Sequence, residues 1–264
     1  MAKSKLADLV QACKPVLDGS TLGIGGITLH RRPLGLVREL IAQRKKELTL
    51  VGLTLGFEAE LLLAEGCVSC VRAGYVGLDF LGLAPHFGKH ASVRIVEETE
   101  HSILNGLRAT LAHMDFLPAR GTLHTDVARV RPDVRTVRSP YTDEEYIAWP
   151  ALRPDTALVH ASMADEQGNA VLGYGGAIDR LLVVAAKRTI VSTERLVSTA
   201  AIQQAGADIL ARNVSAVVHL PQGAHPTSCL PHYRTDIPYL LNYLATCRAQ
   251  GAASAGTRSQ VARA

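Results

Sequence analysis

At 264 residues the chain is long enough to bury a sizeable core, as one large α/β domain or two small ones. Its 47% hydrophobic and 20% charged residues are ordinary for a globular protein. The formal charge of +4, two units of which are Arg258 and Arg263 in the C-terminal tail, is not the footprint of a nucleic-acid binder. No run approaches the ~18 apolar residues of a membrane span. Met1-Ala-Lys-Ser-Lys5 leads into an amphipathic helix, not a signal-peptide apolar region, so a cytoplasmic setting is expected, with neither nucleic acid nor membrane as partner.

The first helix is expected from about Ser4 to Leu17, capped by Ser4, with Leu6, Leu9, Val10 and Cys13 at helical spacing. Asp18-Gly19 is turn chemistry and Thr21–Ile24 a short β-prone run. Pro33 suits the first turn of a helix reaching about Arg44, with Leu34, Val37, Leu40 and Ile41 on one face. Gly25-Gly26 therefore falls at the carboxyl end of a strand, where open α/β sheets bind ligands and where glycines let backbone N–H groups approach them. The pair is also consistent with a plain tight turn. It is not a dinucleotide fingerprint, because Thr28 stands where the third glycine belongs, and no Gly-Lys-Ser/Thr follows to make a phosphate loop.

Leu48–Leu53 reads as a buried parallel strand, Glu58–Glu65 as a helix closed by Gly66, and Cys67–Tyr75 as a returning strand. This β-α-β-α-β order argues for an open, mainly parallel α/β sheet flanked by helices. A loop rich in Gly, Pro, His and aromatic residues covers 78–90, followed by a strand at Val93–Val96. A helix starting near Thr99 carries Ile103, Leu104, Leu107, Leu111 and Met114 and ends at Phe116-Leu117-Pro118. Pro132–Arg153 reads as irregular. Thr156–Ser162 is the next strand, Asp165–Asn169 a turn, Ala177–Ala186 a helix, Thr189–Ser192 a strand, Leu196–Gln204 a helix and Val214–Leu220 the last strand. A lid-like segment, Pro221–Asp236, precedes a final helix from Ile237 to about Arg248. The reading is one domain over 1–250 and a disordered tail over 251–264.

Five scattered cysteines (Cys13, Cys67, Cys70, Cys229, Cys247) read as buried, inert thiols. Cys67 and Cys70 have metal or redox spacing, but no second pair or neighbouring histidine completes a site, and no His-Glu-x-x-His set occurs. No resident metal or cofactor is expected.

The stretch Asp18-Gly19 … Gly25-Gly26 … Pro33 resembles the α-subunit signature of the family I CoA-transferases, with Gly23, Ile27 and Arg31 departing from the usual pattern. Those departures are similar to the glutaconate CoA-transferase branch and its ring-opening hydrolase relatives. Phe116-Leu-Pro-Ala-Arg120, His124-Thr-Asp126, Asp165-Glu-Gln-Gly-Asn169, Ala186–Glu194 and Gly223-Ala-His225-Pro-Thr-Ser228 follow in family order, which extends the resemblance over roughly 18–240.

The resemblance implies a CoA-transferase/NagB-like fold and an enzyme that moves CoA between an acyl-CoA and a carboxylic acid, the CoA thioester being substrate. In such enzymes a glutamate attacks the acyl-CoA and passes through an anhydride to a glutamyl-CoA thioester, with backbone N–H groups stabilising the oxyanions. That glutamate belongs to a Ser-Glu-Asn-Gly-type motif in the β subunit, and the motif is absent from this chain. A partner β subunit is thus implied, in a heterodimer or heterotetramer with the active site between subunits. The alternatives are a ring-opening acyl-CoA hydrolase α subunit and a non-catalytic CoA-ester binding subunit.

Candidate site residues follow. Glu100 is either a helix-start acid beside its Thr99 cap or, by position in the hydrolase relatives, the catalytic base. Gly25 and Gly26 are candidates for the approach to the thioester. Arg120 either grips a carboxylate or makes a structural ion pair. His225 either binds acyl-CoA or is a local hydrogen-bonding group. Arg31 and Arg32 either meet CoA phosphates or form a solvated helix start.

Overall fold

The computed structural model describes residues 3–87, 89 and 92–261. Its first half alternates α1 (Leu9–Cys13), β1 (Thr21–Ile24), α2 (Leu34–Ala42), β2 (Leu48–Leu55), α3 (Phe57–Ala64), β3 (Val68–Val76), β4 (Arg94–Glu97) and α4 (Glu100–Leu111). An excursion follows through β5 (Phe116–Ala119), the short α5 (Val127–Val130), β6 (Arg135–Arg138) and β7 (Glu145–Pro150). The chain then returns through β8 (Thr156–Ala164), β9 (Ala170–Val171), α6 (Asp179–Ala185), β10 (Arg188–Leu196), α7 (Thr199–Ala205), β11 (Ala216–His219) and α8 (Ile237–Val261).

The main sheet has the order β11-β10-β8-β1-β2-β3-β4, with β9 set against β8. Every pairing along that path is parallel; only β8–β9 is antiparallel. The mainly parallel α/β sheet expected from sequence is what forms. β8 shows the reason in its sequence: Thr-Ala-Leu-Val-His-Ala-Ser-Met-Ala is buried at all positions but one, as a central parallel strand covered on both faces must be. One face carries α1, α2 and α3 over Leu22, Leu50, Leu158 and Ile190, and the other carries α4 and α6, whose Leu182 packs with Val51 and Ala157. α8 lies outside α2 and α3, burying Leu240 and Leu244 against Leu34 and Phe57.

Strand order reverses between β1 and β8. The chain builds outward from β1 to β4, then returns to β1's other side and builds outward to β11. The crevice at the carboxyl ends of β1 and β8 is therefore the topological switch point, where open α/β sheets usually bind ligands.

Three expectations are corrected. The first helix is short, because the Asp8 carboxylate caps it at Gln11 N–H. Residues 5–7 instead run extended beside β11, where Ala7 donates to the Val217 carbonyl and Lys5 accepts from Val217. Pro132–Arg153 is not irregular: β6 and β7 join β5 in a three-stranded antiparallel sheet, β5-β7-β6. Ile147 and Trp149 alternate inward there, and Pro118, which has no N–H to donate, sits on the edge strand β5. Phe116–Pro118 is thus strand, not helix end. Finally, α8 runs past Arg248 to Val261, into the stretch expected to be tail; residues 262–264 lie outside the described residues. No helix among the described residues is long and apolar enough to cross a membrane.

Candidate active site

The glycine pair ends β1, but it does not offer its N–H groups to a ligand. Gly25 N–H donates to the Leu158 carbonyl at 2.9 Å, and Gly26 N–H to Asp179 Oδ1 at 3.1 Å. Both residues are buried. Their lack of a side chain serves close internal packing. A Cβ on Gly25 would lie 2.4 Å from Asp179 Oδ1, and one on Gly26 would lie 2.6 Å from the carbonyl oxygens of both His30 and Arg31. Gly26 also has φ of +80°, which favours glycine.

Arg31 and Arg32 are neither solvated nor exposed; both are fully buried. Asp179 accepts from both Nη atoms of Arg31, which also donates to the carbonyls of His160 (2.7 Å), Tyr174 (3.0 Å) and Gly175 (2.8 Å). Arg32 donates to the carbonyls of Gly25 and Thr54, each at 2.9 Å, and pairs with the buried Glu58. These pairs offset one another's desolvation, and neither guanidinium can reach a CoA phosphate. The switch-point crevice between β1 and β8 is filled by the chain's own turn and its ion pairs.

A second buried network closes the other flank. His160 on β8 meets Ser192 Oγ at 2.9 Å and Glu194 Oε1 at 2.6 Å, both from β10. Burial lowers the His160 pKa, so a neutral imidazole donates Nε2–H to the carboxylate. Burial alone would raise Glu194, but donors from His160, Tyr233 and Gln222 N–H outweigh it and hold the carboxyl below its usual value. Burial and the Glu194 contact push Tyr233 up. This network, with Ser162 Oγ to His232 Nε2 at 2.8 Å, ties the 221–236 segment to the sheet. The segment is an anchored loop, not a lid. Nothing in a linear reading marks His160 beyond its being the one titratable residue in an otherwise uncharged strand.

His225 lies in that loop, its Nε2 3.0 Å from Asp236 Oδ2 and its ring edge-on to Tyr239. The His225 hydrogen bond lowers Asp236, a solvent-facing group. Arg120 follows β5, pairs with Glu144 and stacks its guanidinium over Tyr146 at 5.5 Å, with the side chain 62% exposed. It has the ion-pair partner that one of its two readings requires.

Glu100 opens α4. Thr99 caps this helix reciprocally: its hydroxyl accepts from Ser102 N–H at 3.0 Å, while Ser102 Oγ accepts from Thr99 N–H at 2.8 Å. Beside it Glu98 is buried and neutralised by Arg72 and Arg131. Glu100 is exposed, and its carboxylate has no hydrogen bond or ion pair among the described residues. Its N–H sits over the exposed Gly74, where a Cβ would come within 3.8 Å of Glu100 N and 3.4 Å of the Leu53 and Glu98 carbonyls. Gly74 is on β3, two strands and about 10 Å from the glycine pair at ordinary strand spacing. Of the seven candidates, Glu100 is therefore the one whose functional group faces outward, unpaired among the described residues, at the carboxyl edge of the sheet.

A family model described as Coenzyme A transferase matches residues 7–219. The chain is 35% identical over 261 residues to the cholesterol ring-cleaving hydrolase IpdA subunit of Rhodococcus jostii, covering 93% of this chain and 88% of that protein. It is 30% identical to one of the subunits of 3-oxoadipate CoA-transferase from Pseudomonas knackmussii, over 84% of this chain and 80% of that one. Its fold matches glutaconate coenzyme A-transferase from Acidaminococcus fermentans with a TM-score of 0.87 at 26% identity, covering 97% of this chain and 88% of that one.

Proposed function

The chain belongs to the coenzyme A transferase family, and from that premise we propose that it is the α subunit of an enzyme moving CoA between an acyl-CoA and a carboxylic acid, with the active site shared with a β subunit. One observation carries this reading. The buried carboxylates near the sheet's carboxyl edge (Glu58, Glu98, Asp179 and Glu194) are each committed to an arginine or histidine of this chain. None of these buried groups is free to accept the acyl group, and the exposed Glu100 lies in no Ser-Glu-Asn-Gly-type motif, so this reading assigns the accepting glutamate to the partner. This chain contributes the floor at Gly74 and the exposed Glu100. The 3-oxoadipate CoA-transferase relative is named as one subunit of its enzyme, which supports a partnered assembly. CoA enters as substrate.

The test is to mix the assembled enzyme with acyl-CoA, reduce any enzyme–CoA thioester with borohydride and locate the modified glutamate by mass spectrometry. Modification on the partner is expected. A trapped thioester on this chain, or robust CoA transfer by this chain alone, overturns the reading.

A second reading rests on Glu100 itself. Exposed and unpaired on the family's ring-cleaving hydrolase scaffold, it is placed to act as a general base on water or on a carbon acid. Under that reading the partner supplies binding surface and no nucleophile.

A further inference from the structure

On the far side of α3, away from the glycine pair, three potential ligands of different chemistry converge from three separate elements. Glu60 comes from α3, His86 from the loop after β3 and Cys247 from α8. Their carboxylate oxygen, imidazole nitrogen and thiol sulfur all lie within 4.8 Å of one another. We propose that Glu60, His86 and Cys247 form a binding site for one zinc-class divalent cation.

The donor set fits. Imidazole, thiolate and carboxylate are the three side chains that bind Zn²⁺, at about 2.0–2.3 Å. Ligand atoms in a tetrahedral shell then stand about 3.3–3.8 Å apart. His86 Nδ1 and Glu60 Oε1 are 2.6 Å apart, so they separate slightly as the sulfur moves in. The carboxylate is already aimed: His86 N–H donates to Glu60 Oε2 at 2.9 Å, turning Oε1 toward the imidazole, and Tyr243 hydroxyl donates to Oε1 at 2.9 Å. Tyr243 stands one helical turn before Cys247 and packs edge-on against Phe57, which fixes that face of α8. Contacts of this kind orient metal ligands in known sites.

The site also has an entrance. Glu60 is sealed, but the His86 side chain is 24% exposed, leaving room for a water in the fourth position. As the cation binds, the Cys247 thiol proton leaves to solvent and His86 gives up its Nδ1 proton, the imidazole staying neutral with its one proton on Nε2. The other mixed cluster, His160, Glu194 and Cys229, lacks this property, because all three of its residues are buried. A cation at Glu60 would join α8 and the 78–90 loop to α3.

The full chain, stripped with a chelator and returned to metal-free buffer, provides the test. Titration with Co²⁺ should give the near-ultraviolet absorption of a cobalt–thiolate bond, saturating at one ion per chain and displaced by Zn²⁺. Cys247→Ser should abolish that band and weaken Zn²⁺ by at least the ~10–100-fold that losing a ligand-orienting partner costs. Cys67→Ser, outside the cluster, should leave both unchanged. Zn²⁺ should also raise the melting temperature of the wild-type chain and not that of Cys247→Ser. Absence of the cobalt–thiolate band in the wild-type chain overturns the proposal, whatever the variants do. So does a band that persists in Cys247→Ser.

Discussion

Asp179 reaches from the start of α6 to hold two things at once: the Gly26 N–H and the guanidinium of Arg31. The end of β1 is thereby locked by a carboxylate lying 153 residues from the glycine it caps. That contact makes the glycine pair part of the chain's internal architecture and removes it from the ligand-facing surface.

The first prediction concerns stability at that contact. Asp179→Asn leaves the Arg31 charge buried without its counterion and should cost about 3–5 kcal/mol in a urea unfolding titration. Replacing both residues with apolar side chains of similar volume should recover much of that loss. An Asp179→Asn protein as stable as wild type would mean the pair contributes nothing.

Gly26→Val should fail to accumulate as folded protein, because its Cβ would meet two carbonyl oxygens at 2.6 Å in a left-handed backbone conformation. This is a defect of folding, seen as lost solubility and a lost cooperative melt. A folded Gly26→Val chain with impaired turnover would restore the ligand-approach reading of the pair.

Glu100→Gln separates the two enzyme readings. As a helix-start acid, Glu100 contributes about 0.3–1 kcal/mol through the helix dipole, and its loss should leave kcat nearly unchanged. As a general base it carries proton transfer worth about 10²–10⁴-fold. With the shared-site transferase, the expected loss of kcat in the assembled enzyme is under about tenfold. A loss above about a hundredfold, with an unchanged melt, selects the hydrolase reading.

Much of the fold was legible. The observed bounds of β1 coincide with the expected strand, and Thr99 announced α4 as its cap. Those signals are local: a short apolar run, a hydroxyl ahead of an amphipathic helix. The site was less legible because its decisive contacts are remote. Arg31 and Arg32 read as a charged helix start until Asp179 and Glu58, 148 and 26 residues away, are brought against them. The three-stranded sheet was hidden by its prolines and charged flanks, its alternation resting on Ile147 and Trp149 alone.

Acid should destabilise the protein in two steps. Burial holds His160 and His30 below their usual 6.5, so as pH falls through 6.5 the unfolded chain takes up protons that the folded chain refuses, and stability declines. Glu194, held below 4.5, contributes stability that is present above that pH and lost as pH drops further. Melting temperature measured from pH 7.5 to 4 should fall with this sign. His160→Gln, less stable throughout, should show a shallower decline between pH 7 and 5, and an equally steep one would exclude His160 as a source.

Arg120→Ala should change stability by no more than about 1 kcal/mol, since its partner Glu144 is itself well exposed. The KM for the CoA ester should not move if the ion-pair reading is complete. A rise of about tenfold or more would show that Arg120 leaves Glu144 to grip substrate.

The buried charges do not balance. Among the described residues, six carboxylates (Glu58, Glu60, Glu98, Asp165, Asp179, Glu194) are buried against three guanidiniums (Arg31, Arg32, Arg131). With those carboxylates ionised, the described interior carries a net charge of −3, so the rest of the chain is three units more positive than the formal +4. A polyanion approaching such a positively charged shell is drawn faster at low ionic strength and more slowly as salt shortens the reach of the field.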